Sequence, residues 1–205
     1  MRILDLFAGT GSATQAFGDA GHEVIKVEID ERFDAHERDV MALNVNELIT
    51  KYGKFDFIWA SPPCTTFSVA SIGYHWKDGK PSEAALYGME LVKRTIRLVE
   101  ELEPTYGWLI ENPRGLLRKQ NFMLGLPRQT ITYCQYGDTR MKPTDLWGFV
   151  TNWTPRPACK NGDGCHEAAP RGSRTGTQGL KGWVNRSQIP YELSLELLRS
   201  LTNGK

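Results

Sequence analysis

The short run Ser61-Pro62-Pro63-Cys64 contains the residue best suited to nucleophilic chemistry, because a thiol follows two prolines directly after an apolar segment. That segment, residues 57–60, is predicted to be a buried strand, and open α/β sheets place reactive groups just past the carboxyl ends of their strands. Proline fixes φ and favours extended geometry in the preceding residue, so the turn is expected to hold the Cys64 thiol in a defined orientation. The alternative is that Cys64 is a small apolar plug at the end of the strand.

An acid and an amide, Glu111 and Asn112, follow another apolar stretch, residues 108–110. In a parallel sheet they would lie at the same edge as Cys64, and a sheltered carboxyl group there can have a raised pKa and donate a proton. The alternative for Glu111 is a helix cap or an ion-paired loop acid. Arg140 and Lys142 offer cations for a carbonyl oxygen or a phosphate, unless they are ordinary surface charges.

A glycine turn at residues 5–11 lies between the first predicted strand and the first predicted helix. Such a turn lets a ligand approach the backbone, and the helix amino terminus favours polar or anionic groups. The glycine spacing is not that of a dinucleotide site. At the end of the second strand, however, Glu28 and Asp30 can accept hydrogen bonds from ribose hydroxyls, so the two features together indicate a nucleoside-bearing cofactor. The turn by itself could serve packing alone.

The elements that must position these residues alternate between strand and helix patterns through the first 110 residues. Strands are predicted at 3–7, 23–27, 55–60 and 107–110, and helices at 12–19, 31–38, 44–51 and along an apolar stripe from Ala85 to Val99. This alternation predicts an α/β fold with a mostly parallel sheet and helices on both faces. Shorter strands are predicted at 130–134 and 146–150, and a last helix begins near Pro190.

The chain divides into three predicted parts. Residues 1–150 form the core, residues 151–186 form a short basic loop or insert without apolar periodicity, and residues 187–205 form a helix that packs back on the core. With 205 residues and a net charge of +1, the composition fits one α/β domain. Residues 1–113 carry a net −7 and residues 114–205 a net +8, which favours contact with a polyanion unless these are solvated loop charges.

Nothing in the sequence suggests a membrane span or a signal peptide, since the apolar runs are too short for either. The four cysteines have unlike spacings, which favours reduced thiols in a cytosolic compartment. Three of the possible metal ligands, Cys159, Cys165 and His166, lie close together in sequence. Their spacing differs from that of common zinc sites, and no fourth ligand is evident nearby, so the sequence predicts no metal.

Taken in order, the Asp5–Gly11 turn, the Pro63-Cys64 loop with Phe67-Ser68 after it, the Glu111-Asn112 pair and Arg140-x-Lys142 resemble motifs of the cytosine-5 DNA methyltransferases. The resemblance implies a Rossmann-like class I methyltransferase fold with a minimal recognition insert, and S-adenosylmethionine as cofactor. Phe7 would lie against the adenine, Glu28 would take the ribose, and Asp39-Val40 would reach the adenine amino group. The residues that it assigns to the cofactor are Asp5, Phe7, Ala8, Gly9, Thr10, Gly11, Glu28, Ile29, Asp39, Val40 and Pro62.

The resemblance also implies a mechanism in which the Cys64 thiolate adds to C6 of cytosine while Glu111 protonates N3, so that C5 can accept a methyl group. Arg140 would hold the cytosine O2, Asn112 would position the loop, and Lys142 stands where the family has a second arginine. The expected substrate is duplex DNA with the target base flipped out. The alternatives are RNA, a free cytidine nucleotide, or a non-catalytic nucleic-acid-binding protein.

This chain departs from the family in length and in detail. Its recognition segment is short, Thr65 replaces a glutamine that often follows the nucleophile, and Arg186-Ser187 precede Ile189-Pro190 where the family's last motif has glycine and asparagine. The compact form is most similar to bacteriophage members of the family, which implies the cytoplasm of a bacterium or of a phage-infected host cell. A partner chain or an oligomer would be one source of the missing recognition surface.

Overall fold

The sheet and helices of the chain follow the predicted alternation. The computed structural model describes residues 1–167 and 182–202, apart from the side chain of Trp183. The elements are β1 (Arg2–Leu6), α1 (Gln15–Asp19), β2 (Glu23–Val27), α2 (Val45–Tyr52), β3 (Phe57–Ala60), α3 (Ile72–His75), β4 (Trp76–Lys77), β5 (Lys80–Pro81), α4 (Glu83–Leu102), β6 (Gly107–Pro113), β7 (Arg128–Thr132), β8 (Pro143–Val150), α5 (Trp183–Ser187) and α6 (Tyr191–Thr202). Residues 168–181 and 203–205, which belong to the predicted insert and terminal helix, lie outside the described residues.

Six strands form one sheet in the order β2-β1-β3-β6-β8-β7, and β4 and β5 form a separate small hairpin. The first four strands of this order are parallel, and only β8 runs in the opposite direction. The chain leaves β1 for β2 on one side and later returns to β3 on the other side. This reversal opens a crevice beyond the carboxyl end of β1, which is where open α/β sheets bind their ligands.

Helices cover both faces of the sheet, as the alternation predicts. On one face α1 and α6 pack against residues that include Ile3 and Phe57, and on the other α2 and α4 pack against residues that include Leu4 and Ile58. Neighbouring residues of a strand thus point to opposite cores, as the two-residue period of a strand requires. Among the described residues, no helix combines the length and the apolar content that crossing a membrane needs.

Two predicted helices differ from the structure. The stretch 31–38 is not helical, because the amides of His36 and Glu37 donate to the carbonyl of Lys26 and tie this segment alongside β2. Helical hydrogen bonds would need those same amides. The predicted helix 12–19 is split into a 3₁₀ turn, Ser12–Thr14, and the short α1. The turn lets the Thr14 hydroxyl donate to the buried carboxylate of Asp5 at 2.7 Å.

The pairing of β6 with β8 depends on a glycine at each of two close crossings. Gly148 has a φ of 108°, and a Cβ added there would lie 2.2 Å from the carbonyl oxygen of Trp108. Gly107 has a φ of 105°, and its added Cβ would lie 2.1 Å from the carbonyl oxygen of Phe149. A side chain at either position would push β8 away from β6, the strand that carries Glu111 and Asn112.

Gly148→Ala is therefore expected to lower the free energy of unfolding by about 2 to 5 kcal/mol, because backbone strain and a steric clash add together. Urea denaturation followed by circular dichroism measures the loss. Gly125→Ala is the matched control, since Gly125 also has a positive φ, 94°, but has open space around it. Its cost should be only about 1 kcal/mol. Equal losses in the two variants would contradict the role of close strand packing.

Candidate active site

The loop that carries Cys64 begins at the crevice beside β1. The Ser61 amide donates to the carbonyl of Leu6 at 3.0 Å, and the Trp59 indole donates to the Ser61 hydroxyl at 2.7 Å. Pro62 is buried and Pro63 is exposed. The Cys64 side chain, of intermediate exposure, therefore stands at the carboxyl end of β3 on a turn that both prolines stiffen.

The segment after Cys64 is held from two sides. The Cys64 carbonyl accepts hydrogen bonds from the amides of Phe67 and Ser68 at 3.0 and 2.9 Å, so a helical turn starts at the cysteine. On one side the Leu116 amide donates to the carbonyl of Phe67 at 2.8 Å, and a Cβ at Gly115 would lie 2.3 Å from that oxygen. On the other side the Trp76 indole donates to the Thr66 carbonyl.

Asn112 joins the Cys64 loop to the neighbouring strand. Its fully buried side-chain amide donates to the carbonyl of Pro62 at 2.9 Å. Because β3 and β6 are parallel neighbours, their carboxyl ends lie side by side, and this bond spans the gap between them. The Asn112 Oδ1 atom is buried and has no hydrogen-bond partner in the described part of the chain. A buried oxygen of this kind is available to a ligand.

Glu111 is a buried acid one residue earlier on β6. Its Oε1 atom accepts a hydrogen bond from the Tyr133 hydroxyl at 2.9 Å. Burial raises the pKa of Glu111, with Lys142 and the Tyr133 hydrogen bond acting in the opposite direction. The pKa of Tyr133 is raised well above its usual range by burial and by the Glu111 charge. Tyr133 therefore stays a hydrogen-bond donor to Glu111.

The electrostatics of Cys64 and Glu111 are linked. Burial raises the pKa of the Cys64 thiol, and the Glu111 carboxylate raises it further, whereas Lys142 and Arg186 lower it. Lys142 lowers the pKa of Glu111 as well. When Glu111 is protonated, it carries no charge and no longer raises the pKa of Cys64. The site thus favours one negative charge shared between Cys64 and Glu111. Lys142 stabilises this charge, because it lowers the pKa of both groups.

Arg140 and Lys142 occupy different environments, although they are two residues apart. The buried Arg140 guanidinium forms an ion pair with Asp138, in which Nε lies 2.8 and 2.9 Å from the two carboxylate oxygens. Its Nη1 atom is buried without a hydrogen-bond partner among the described residues. The Lys142 ammonium lies 4.5 Å above the Tyr133 ring and donates to the Arg186 carbonyl at 3.2 Å.

A cavity of about 460 Å³ lies between Arg140 and the glycine turn, and Lys142 is not among its lining residues. Its walls include Thr10 from the turn, Arg140 from the segment before β8, and Ile189 and Pro190 from the segment before α6. The Ile189 amide donates to the Ser12 hydroxyl at 3.0 Å, which fixes that segment against the turn. The last predicted motif is thus brought to the same crevice as the first.

The glycine turn itself is shaped by backbone conformations that most residues avoid. Phe7, Gly9 and Gly11 have φ angles of 61°, 48° and 74°. The Gly9 amide donates to Glu28 Oε2 at 2.8 Å, and the other oxygen of Glu28 accepts from the Asp30 amide at 2.9 Å. The carboxylate is thus fixed at the end of β2 and keeps lone pairs for a ligand. Ala8 is buried and bonds Val27 through its amide at 3.0 Å.

The remaining residues assigned to the cofactor have mixed positions. Ile29, directly after Glu28, is 64% exposed and leaves an apolar surface next to the Glu28 carboxylate. Asp39 caps a local turn, where its Oδ1 atom accepts from the Met41 amide at 2.9 Å. The Val40 side chain lies in the core, so only its backbone can face a ligand.

Three features of this region were not predicted. Tyr133, the partner of Glu111, could have been suspected only as an aromatic residue near the end of a predicted strand. Asp138, which pairs with Arg140, is two residues before it, a spacing typical of a local turn. The statement that no fourth metal ligand lies near Cys159, Cys165 and His166 is wrong, because the fold brings Cys134 to them.

A glycine turn, an acid after β2 and a cysteine after β3, all at one edge of this mostly parallel sheet, define a Rossmann-like class I methyltransferase fold. The family model of the C-5 cytosine-specific DNA methylases matches residues 1–124. The chain belongs to that family, and it is accordingly an enzyme of the DNA (cytosine-5-)-methyltransferase class.

The comparisons with individual proteins agree with this assignment. The chain is 29% identical to a "Probable DNA (cytosine-5)-methyltransferase" of Frog virus 3 over 97% of its own length and 99% of the relative's. It is also 29% identical to the type II methyltransferase M.HgiCI of Herpetosiphon aurantiacus over 57% of this chain and 28% of that one. Among solved structures, the S. pombe Dnmt2 methyltransferase shares the fold, with a TM-score of 0.51 and 13% identity over 76% of this chain. The chain spans 50% of that structure's length.

The environment of Asp5 generates a prediction about stability. This buried carboxyl group has a pKa raised to about 7, mainly by burial, with the Thr14 hydrogen bond and Lys26 acting against it. Its Oδ1 atom has no hydrogen-bond partner in the described part of the chain. Because the folded-state pKa lies above the unfolded value of 3.8, the contribution of Asp5 is fully present below that value. It is lost as the pH rises towards 7.

Asp5→Asn should therefore gain stability relative to the wild type as the pH rises, since a neutral amide needs no desolvation of charge. The gain should be about 3 kcal/mol greater at pH 8 than at pH 5. Chemical denaturation at the two pH values measures it. Asp34→Asn, at an exposed acid, should show no such trend. A pH-independent difference between Asp5→Asn and the wild type would contradict the raised pKa.

Proposed function

We propose that this protein transfers a methyl group from S-adenosylmethionine to C5 of cytosine in DNA, through a covalent bond between Cys64 and C6 of a flipped-out base. One observation carries the proposal. Asn112 holds the Cys64 loop, at 2.9 Å from the Pro62 carbonyl, beside the buried acid Glu111. A nucleophile and a proton donor are thereby kept together at the crevice where the glycine turn also lies.

The residues around the glycine turn fit the proposed cofactor, which when bound supplies the methyl group. No atom of the described chain lies within 4 Å of a Cβ placed on Gly9, so a ligand can approach the backbone there. The fixed carboxylate of Glu28 suits ribose hydroxyls, and the exposed Ile29 and the side chain of Phe7 offer apolar contacts to a base. Pro62 and the Asp39-Val40 turn complete the proposed set.

In the proposed reaction, Cys64 and Glu111 act in one step. The thiolate sulfur bonds to C6 while a proton passes from Glu111 to N3, so that C5 gains the electron pair that takes up the methyl group. Loss of the C5 proton to a solvent base and departure of the sulfur from C6 restore the aromatic ring, and N3 returns its proton to Glu111. The raised pKa of Glu111 supports this role, because a protonated acid is what the first step needs.

The two cations receive separate roles. The unpartnered Nη1 atom of Arg140 is buried and suited to the cytosine O2, while the rest of that guanidinium is fixed by Asp138. Lys142, whose charge lowers the pKa of both Cys64 and Glu111, stabilises the shared negative charge. Asn112 positions the loop rather than reacting.

DNA is the proposed substrate because the region after residue 113 carries a net charge of +8, which suits a phosphate backbone. Contacts with phosphates would offset the cost, about a few kcal/mol, of extruding a base from the stack. We assign residues 1–150 to the catalytic core, 151–186 to the recognition insert and 187–205 to a terminal helix. A partner chain or a second copy would enlarge the recognition surface of so short an insert.

The test is a transfer assay with radiolabelled S-adenosylmethionine and duplex DNA, cytidine-rich RNA or dCMP as acceptors. Label at C5 of cytosine in DNA is expected. Label confined to RNA or to dCMP would keep the cysteine chemistry and overturn the DNA assignment. Cofactor binding without any transfer would favour the non-catalytic alternative.

Cys64→Ala should abolish transfer, to below about a thousandth of the wild-type rate, because it removes the only proposed nucleophile. Duplex DNA that contains 5-fluorocytosine provides a second readout, since fluorine at C5 cannot leave as a proton and the adduct accumulates. The wild type should give a complex that survives denaturing electrophoresis, and Cys64→Ala should give none. A stable complex with the alanine variant would refute the assignment of Cys64.

Lys142→Met tests the shared-charge argument. The lysine lowers the pKa of Cys64 and of Glu111, so its removal should shift both limbs of the pH profile of single-turnover transfer to higher pH. At pH values on the acid limb, a shift of about one unit lowers the rate about tenfold. Lys142→Arg keeps the charge and should leave the limbs in place. If Lys142→Met lowered the transfer rate without shifting either limb of the pH profile, the shared-charge argument would be refuted. Lys142 would then act through binding and not through the pKa values.

A further inference from the structure

Four potential metal ligands from separate parts of the chain converge beside the active site. They are the Sγ atoms of Cys134, Cys159 and Cys165 and a ring nitrogen of His166, which all lie within 4.8 Å of one another. Cys134 is buried, and His166 and Cys159 are partly exposed. None of these side chains takes part in the proposed methyl transfer.

Three of the distances within this cluster fit a single tetrahedral ion. Cys134 Sγ lies 3.7 Å from Cys165 Sγ, and His166 Nδ1 lies 3.5 Å from Cys165 Sγ and 3.7 Å from Cys159 Sγ. With zinc–sulfur bonds of about 2.3 Å and zinc–nitrogen bonds of about 2.0 Å, the edges of a tetrahedron are about 3.5 to 3.8 Å long. Three edges of the cluster therefore have the length that zinc requires.

We propose that Cys134, Cys159, Cys165 and His166 bind one Zn²⁺ ion in a closed structural site. Three thiolates and one imidazole are a ligand set that zinc favours, and they fill all four tetrahedral positions. No position is left for a substrate or a reactive water, so the role is structural. The fourth distance, 3.1 Å between the sulfurs of Cys134 and Cys159, is far longer than the about 2.05 Å of a disulfide bond.

The backbone around the ligands is held by contacts in which the four ligand side chains take no part. Cys134 belongs to the 3₁₀ turn Tyr133–Tyr136 that follows β7. The Cys159 amide donates to the Thr132 hydroxyl at 3.0 Å, which brings the segment after β8 back beside that turn. The Lys160 amide then bonds the Asp163 carboxylate at 2.7 Å, and this tight turn returns the chain to Cys165.

Further polar contacts surround the cluster. The Gln135 side chain donates to Cys165 Sγ at 3.3 Å, and a hydrogen bond of this kind orients a metal-binding side chain. The Glu167 amide donates to the carbonyl of Thr139 at 2.9 Å. A zinc ion here would join the first part of the insert to the segment 133–140, which carries both the partner of Glu111 and the cation Arg140.

Metal analysis of the full-length protein tests this proposal. After purification without added chelator, or refolding with Zn²⁺, inductively coupled plasma mass spectrometry should find about one zinc per chain. Cys159→Ser and Cys165→Ser should each lose most of it. Cys64→Ser is the matched control, because its thiol lies outside the cluster, and should keep the full content. Wild-type protein without zinc, or a Cys165→Ser variant with unchanged zinc, would overturn the proposal.

Cobalt substitution provides a readout that does not depend on the stability of any variant. Wild-type protein loaded with Co²⁺ should show intense visible bands of a tetrahedral ion and a near-ultraviolet band from thiolate ligands. His166→Ala should shift the visible bands while keeping the thiolate band. An octahedral spectrum would overturn the closed site. So would a thiol count under denaturing, non-reducing conditions that shows two cysteines joined in a disulfide.

Discussion

The hydrogen bond from the Asn112 amide to the Pro62 carbonyl is the contact on which the geometry of the site depends. It joins the loop after β3 to the end of β6, two parallel neighbours whose carboxyl ends lie at the same edge. Asn112 is fully buried, and losing this bond would leave a buried amide and a buried carbonyl unsatisfied, which typically costs about 1 to 3 kcal/mol for each group. The bond consequently holds the start of the Cys64 loop beside the strand that carries Glu111.

That fixed arrangement sets the electrostatics. Burial raises the pKa of both Cys64 and Glu111, and the Glu111 carboxylate raises the pKa of Cys64 further. Arg140 is already paired with Asp138, so much of its charge is neutralised within its own turn. Lys142 makes no such pair with an acid among the described residues, and its charge lowers the pKa of both Cys64 and Glu111. In the proposed reaction, the position of Lys142 beside these two groups matters more than the bidentate fork that an arginine would offer.

Sequence reasoning placed chemistry-bearing residues at the correct edge of the sheet where they lie near the carboxyl end of a strand, although β6 extends beyond the predicted 107–110 and includes Glu111 and Asn112. An apolar run that ends in Pro62-Pro63-Cys64, or in Glu111-Asn112, fixes both the strand and the sheet edge at which its last residues emerge. It failed where contacts join residues that are distant in sequence. Cys134 lies 25 residues before Cys159. The two meet because the segment after β8 returns to the end of β7, where the Cys159 amide donates to the Thr132 hydroxyl. The stretch 31–38 has polar residues at helical spacing, but its amides are used alongside β2, a tertiary contact that local patterns do not encode.

Tyr133 and Arg140 lie on a segment between β7 and β8 that has little regular structure beyond one 3₁₀ turn. Such a segment can position side chains only if other contacts replace the missing backbone ladder. Arg156 supplies several of these, since its guanidinium bonds Glu196 of α6 and the carbonyl of Gln135, and its amide bonds the Tyr136 hydroxyl. The cysteine cluster is attached to the same 3₁₀ turn from the other side. The described segment after β8 is thus bonded to this turn and to the end of β7, and these contacts hold the stretch that carries Tyr133 and Arg140 in place.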